Sequence, residues 1–134
     1  MPGSLSTEER LTDLRNALIR LHKALLDSER ASYERDIARV TSTGQLLELV
    51  LNDPFFAWLH ELSELIVIID ETLDADDPAS SEDADRLVAR SRLLLVPEES
   101  GRGFAGRYFE ALQRDPDVVV AHGATVRALS KLGR

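Results

Sequence analysis

The sequence predicts an all-α protein, an antiparallel bundle of four to five helices joined by short connections. Three observations lead there. Large apolar residues recur at spacings of three and four along most of the chain, the period of a helix that buries one face. The breaks between these stretches carry helix start signals: Ser or Asp followed by acidic residues, and the pairs Asp53-Pro54 and Asp115-Pro116. No stretch alternates apolar and polar residues as a half-buried strand does. The β-branched run Val118-Val119-Val120 comes just after an Asp-Pro start and has no partner run.

The first helix is expected from Thr7 to Val40. Ser6 or Thr7 can cap it, and Glu8 and Glu9 suit its positive end. Leu11, Leu14, Leu18, Leu21 and Leu25 form a narrow seam. The seam then loosens at Ser28, Ala31 and Ser32, and a shifted stripe runs through Leu26, Tyr33, Ile37 and Val40. Thr41 to Gly44 reads as a turn, followed by a short Leu-rich helix from Gln45 to Leu51. Asp53-Pro54 restarts the chain, and Phe55, Leu59, Leu62, Ile66 and Ile69 carry the next helix. Its second half, Leu65 to Ile69, is apolar on every side, which suits a central helix or one facing a second subunit.

Residues 70–85 form an acidic connection. Ser80 or Ser81 opens the following helix, with Leu87, Val88, Ser91, Leu94 and Leu95 as its inner face. A helix from Phe104 to Arg114 packs through Phe104, Tyr108, Phe109 and Leu112. A last one, Pro116 to Leu132, carries Val119, His122, Val126 and Leu129 on one side.

The length of 134 residues suits one domain over residues 1–134, with 1–6 as a flexible lead. There is no cysteine, so disulfides, thiolate metal sites and cysteine nucleophiles are excluded. The opening MPGSLSTEER has no basic region followed by an apolar core and is not expected to act as a signal peptide. The longest apolar run is far shorter than the roughly 20 residues of a membrane span. A cytoplasmic protein without membrane contact is expected.

Net charge is −8, unevenly spread: residues 1–43 are neutral, 44–100 carry −11, and 101–134 carry +3. This excludes the broad basic face of a general nucleic-acid binder. The acidic middle and the basic end are complementary within or between subunits.

Gly101, Gly103 and Gly106 spell G-x-G-x-x-G, but a dinucleotide fingerprint needs a strand before the glycines and a helix after them. Here a helix and the loop PEES precede them. The glycines are expected to make a turn and to let the next helix pack closely. Backbone N–H groups beside Arg102, Gly103 and Arg107 make a candidate anion site.

His22, His60 and His122 are each expected on a different helix. His60 and Glu64 share a face, and His22, Leu26, Glu29 and Tyr33 share another. Helices one and two as a hairpin bring His22 level with residue 63. His22, Glu29, Tyr33, His60 and Glu64 are therefore candidates for a ligand or metal cluster. The paired Glu-x-x-His and His-x-x-x-His spacings of bundle metalloproteins are absent, so no metal site is assigned. The loop from Asp74 lacks the ligands of a calcium loop at its fifth, sixth and twelfth places. No catalytic set has supporting local context, so no catalytic residue and no cofactor are expected. His122 lies on an apolar stripe and is expected to be a hydrogen-bonded core residue.

The runs DPFFAWLHELSELIVIIDE and GRYFEALQRDPDVVVAH resemble segments of small bacterial all-helical proteins of uncharacterised function. The resemblance implies a helical fold and carries no catalytic residue.

The reading that follows is a self-associating interaction protein, a homodimer or one that meets another protein, rather than an enzyme. Phe56, Trp58, Val67 and Ile68 are its candidate interface residues, because aromatic and apolar side chains exceed one helix face there. The alternative is a small-ligand or metal-binding bundle using the His/Glu/Tyr cluster.

Overall fold

The computed structural model describes residues 5–133. Six α-helices and one 3-10 segment follow one another: α1 (Thr7–Asp36), α2 (Thr43–Asn52), the 3-10 segment (Pro54–Leu59), α3 (His60–Asp74), α4 (Ser81–Leu94), α5 (Gly103–Arg114) and α6 (Pro116–Lys131). The described residues contain no strand. The all-helical class holds, with six α-helices where four to five were expected. Of the flexible lead expected for residues 1–6, residues 1–4 lie outside the described residues, and Ser6 caps α1.

Helix α1 begins at a capping box. The Ser6 hydroxyl accepts from the Glu9 N–H, and the Glu9 carboxylate accepts from the Ser6 N–H. The Leu11–Leu25 seam is wholly buried. It forms the axis of the molecule, because α1 packs against α3, α4, α5, α6 and the 3-10 segment. Its end comes earlier than expected, at Asp36, where the Ile37 and Ala38 N–H groups both reach back to the Tyr33 carbonyl. Ile37 is therefore exposed, while Val40 folds back and is buried.

The helix expected to start at Pro54 begins as 3-10. Asp53 caps the Phe55 N–H at 2.9 Å, and Pro54 supplies the fixed φ of a first helical residue. The segment buries Phe56, Trp58 and Leu59, and its three-residue turn sets Phe56 and Leu59 on one line. From His60 the α-helix proper buries Leu62, Leu65 and Ile69.

Two cross-helix pairs show that α3 runs antiparallel to α1. His22 meets Ser63, and Arg15 meets Asp70. Helix α6 also runs back along α1. The α5–α6 junction sits near Ser28, which Arg114 bonds, and the far end of α6 near Arg10, whose Nε donates to the Leu132 carbonyl at 3.0 Å. Arg10 also pairs with Asp85 at 2.7 Å, tying α4 to the same end.

The inner face of α6 is Val118, Thr125 and Leu129, while Val119 and Val126 point to solvent. Leu129 is buried as expected, but Val118 and Thr125 take the inner places expected of Val119 and Val126. Three consecutive valines fit either phase, and contact with α1 and α5 selected the one that buries Val118.

Candidate functional site

The buried polar groups gather where the α1 seam loosens. Ser28, Glu29 and Ser32 continue the seam with small or polar side chains, and all three are buried. Glu29 is only 1% exposed. A carboxylate there requires partners, and α5 supplies them. Arg114 Nη2 donates to Glu29 Oε1 at 2.7 Å and to the Ser28 hydroxyl at 3.2 Å. Arg107 Nη2 donates to Oε2 at 3.4 Å. Arg107 and Arg114 are seven residues apart, two turns along one helix face, so one strip of α5 holds both carboxylate oxygens.

Arg107 lies over the rings of Phe55 and Trp58, at 5.9 and 6.0 Å from their centroids, and is 3.7 Å from Glu110. The aromatic side chains thus form one wall of the ion pair. Tyr33 packs on Phe55 and Phe56 with centroids 5.4 and 5.6 Å away. The result is a clamp between α1, α5 and the 3-10 segment. Both carboxylate oxygens of Glu29 are engaged by cations, so the group is held as a charge partner and has no geometry for proton abstraction.

The cluster expected around His22, Glu29, Tyr33, His60 and Glu64 does not come together. His22 is level with residue 63, and its partner there is Ser63, with Nε2 2.8 Å from the hydroxyl. Ser63 in turn donates to the Leu59 carbonyl at 3.2 Å, so the histidine is the donor. Burial depresses the His22 pKa from its ordinary value and keeps the ring neutral. His60 Nε2 donates to the Val50 carbonyl at 2.8 Å, which fastens α2 to α3. Glu64 is exposed and lines a shallow groove with Glu61, Arg90 and Arg102. Among the described residues no group of three His, Cys, Asp or Glu side chains could hold a metal ion.

The glycine run is a closed turn. The Gly101 N–H bonds the Glu98 carbonyl at 2.9 Å, and the Glu98 N–H bonds Ala105 O at 3.1 Å. A Cβ on Gly106 would fall 2.0 Å from the Gly101 carbonyl oxygen, so Gly106 is needed for contact with its own loop. Gly103 opens α5 at φ +62°. Of the anion-site residues, Arg107 is committed to Glu29, while Arg102 stays at the exposed start of α5.

The buried Tyr108 hydroxyl is hydrogen-bonded to His122 Nδ1. Burial raises the tyrosine pKa and lowers that of the histidine, so both are neutral. The hydrogen-bonded His122 was expected from the sequence, but its partner Tyr108 was not, and Arg114 was missed. The seven-residue spacing of Arg107 and Arg114, opposite an inward Glu29, was the signal available for the clamp.

Of the interface candidates, Phe56 and Trp58 are buried within the chain and do not face a second subunit. Val67 is exposed. Ile68 is half-buried in a groove of about 930 Å³ between α3 and α4, with Leu87 and Leu93.

Helix α2 carries an apolar excess. Its ten residues include Leu46, Leu47, Leu49, Val50 and Leu51, yet none of the ten is buried. Leu47 and Leu51 are 59% and 60% exposed, and Ile37 is exposed as well. The helix rests chiefly on the 3-10 segment and on the His60–Val50 bond.

No helix is long and apolar enough to cross a membrane among the described residues. Compared with protein-family models, curated proteins and solved structures, the chain matches none of them.

Proposed function

We propose that the chain is a self-associating interaction protein, a cytoplasmic homodimer of antiparallel helical bundles, and that α2 carries the contact. The observation behind this reading is a ten-residue helix rich in leucine with no buried residue. A helix that short is marginal in water by itself and gains its stability from packing. Leu47, Leu51 and Ile37 leave a packing face open.

Charge favours a second copy as the occupant. The whole chain carries −8, so two copies repel over most of their surface. Residues 37–52 hold one base, Arg39, and one acid, Glu48, and are neutral. Both side chains are without an ion-pair partner among the described residues, so a two-fold arrangement lets Arg39 of each copy approach Glu48 of the other. The absence of cysteine fits a reducing compartment.

Native mass spectrometry of the untagged chain, at several concentrations, reads the subunit number. A dimer that Leu47→Glu and Leu51→Glu split, with helical circular dichroism unchanged, supports the reading. A dimer split only by Val67→Glu or Ile68→Glu keeps self-association and moves it to α3. A monomer at every concentration overturns it.

A further inference from the structure

We infer that the groove between α1 and α6 binds a small organic phosphate: an anionic head between Arg20 and Arg127, and an apolar body along α6. The inference is independent of the self-association above, which uses α2 and Ile37.

The groove measures about 840 Å³, within the roughly 300–1,000 Å³ range of ligand sites. Its two walls differ in chemistry. Ala124, Ala128 and Leu132 lie four residues apart and form one apolar ridge of α6. Arg127 and Lys131 lie beside that ridge, and Arg20 and Asn16 face it from α1.

The three cations are unpaired among the described residues, although the chain has 24 acidic residues to 16 basic ones. Outside the groove Arg10, Arg15, Arg30, Arg35, Arg86, Arg107 and Arg114 each have a carboxylate within salt-bridge distance, while Arg39, Arg90, Arg92 and Arg102 have none among the described residues. The groove sets three cations against one carboxylate, Asp13, a local positive excess that an anion can fill.

Helix register brings two of them to one level. Arg10 meets Leu132, so in this antiparallel pair Arg20 is level with about residue 122. The Arg127 guanidinium folds back over Gly123, where its Nη1 lies 3.4 Å from the position a Cβ would take. It therefore reaches the level of Arg20. Two guanidinium forks offer the donor geometry that a phosphate accepts. Asp13, the groove's one carboxylate, is two turns away along α1, about 10 Å from Arg20. Lys131 lies near the Asp13 end and offsets it.

Isothermal titration calorimetry tests this with inorganic phosphate, hexyl phosphate and hexanol as probes. Hexyl phosphate is expected to bind at least about fivefold more tightly than inorganic phosphate, and hexanol not to bind, since head and tail contribute together. Arg20→Gln and Arg127→Gln should each weaken hexyl phosphate about tenfold without moving the thermal midpoint. Arg102→Gln, in the other groove with unpaired arginines, should leave binding unchanged. Sedimentation with phosphatidic acid vesicles separates the sources. Capture that Arg127→Gln abolishes assigns a lipid headgroup, and binding of hexyl phosphate alone assigns a soluble ester. The inference is overturned by no binding of either probe, by equal affinity for inorganic phosphate, or by binding that survives both arginine substitutions.

Discussion

Removing Arg114 tests the Glu29 clamp most directly. The carboxylate is 1% exposed and its short contact is the 2.7 Å bond from Arg114; Arg107 stands off at 3.4 Å. Arg114→Ala leaves a buried carboxylate with one loose partner. Breaking a buried pair from that side costs about 3–5 kcal/mol. Glu29→Gln acts differently, because it removes the buried charge and leaves two arginines whose side chains are 41% and 30% exposed and can turn to water. Its cost is the loss of charge-assisted hydrogen bonds, roughly 1.5–3 kcal/mol. The double variant should cost clearly less than the sum of the two, since the residues share one interaction. Urea unfolding followed by Trp58 fluorescence and by circular dichroism gives the three free energies. An Arg114→Ala cost below about 1 kcal/mol, or strict additivity, would refute the claim that this pair holds α5 onto α1.

Other predictions follow from the same geometry. Gly106→Ala places a methyl 2.0 Å from a backbone carbonyl and should cost about 1–3 kcal/mol, whereas Gly44→Ala, with its nearest atom at 4.0 Å, should be nearly silent in the same melts. Tyr108→Phe leaves the His122 Nδ1 without its hydrogen-bond partner and should cost about 1–2 kcal/mol by urea unfolding, which an unchanged unfolding free energy would contradict. His22 and His122 both have pKa values lowered by burial below the ordinary 6.5, so the unfolded chain takes up protons first as pH falls. Their stabilising effect is complete above about pH 6.5 and is lost as pH drops through the folded values; unfolding free energies from pH 8 to 5 should show this decline, and His22→Gln should flatten it.

The register of the elements was largely legible because local rules set it. The Ser6, Ser80 and Asp115 caps stand where the sequence placed helix starts, and the Leu11–Leu25 seam is the buried face of α1. Where two phases fit equally, as at Val118–Val120, periodicity had no means to choose. The candidate cluster failed for a related reason. Level along the axis placed His22 beside residue 63, but rotation about the α3 axis presents Ser63 there and turns Glu64 to solvent. Glu29 was read as pointing inward; its partners, from a helix some 80 residues later, had no local signal except the spacing of Arg107 and Arg114.

By itself the sequence determined the helical class, the caps and breaks, the α1 seam, and the turn that the Gly101–Gly106 run needs. These depend on backbone preferences and on contacts within a few residues. Tertiary structure alone decided that α2 keeps its leucines exposed, that two α5 arginines enclose Glu29, and that Arg20 and Arg127 share one groove. Each of these is a matter of how one helix is rotated and set against another. Apolar spacing gives every helix a face to bury, but only packing fixes which neighbour covers it and which face is left without one.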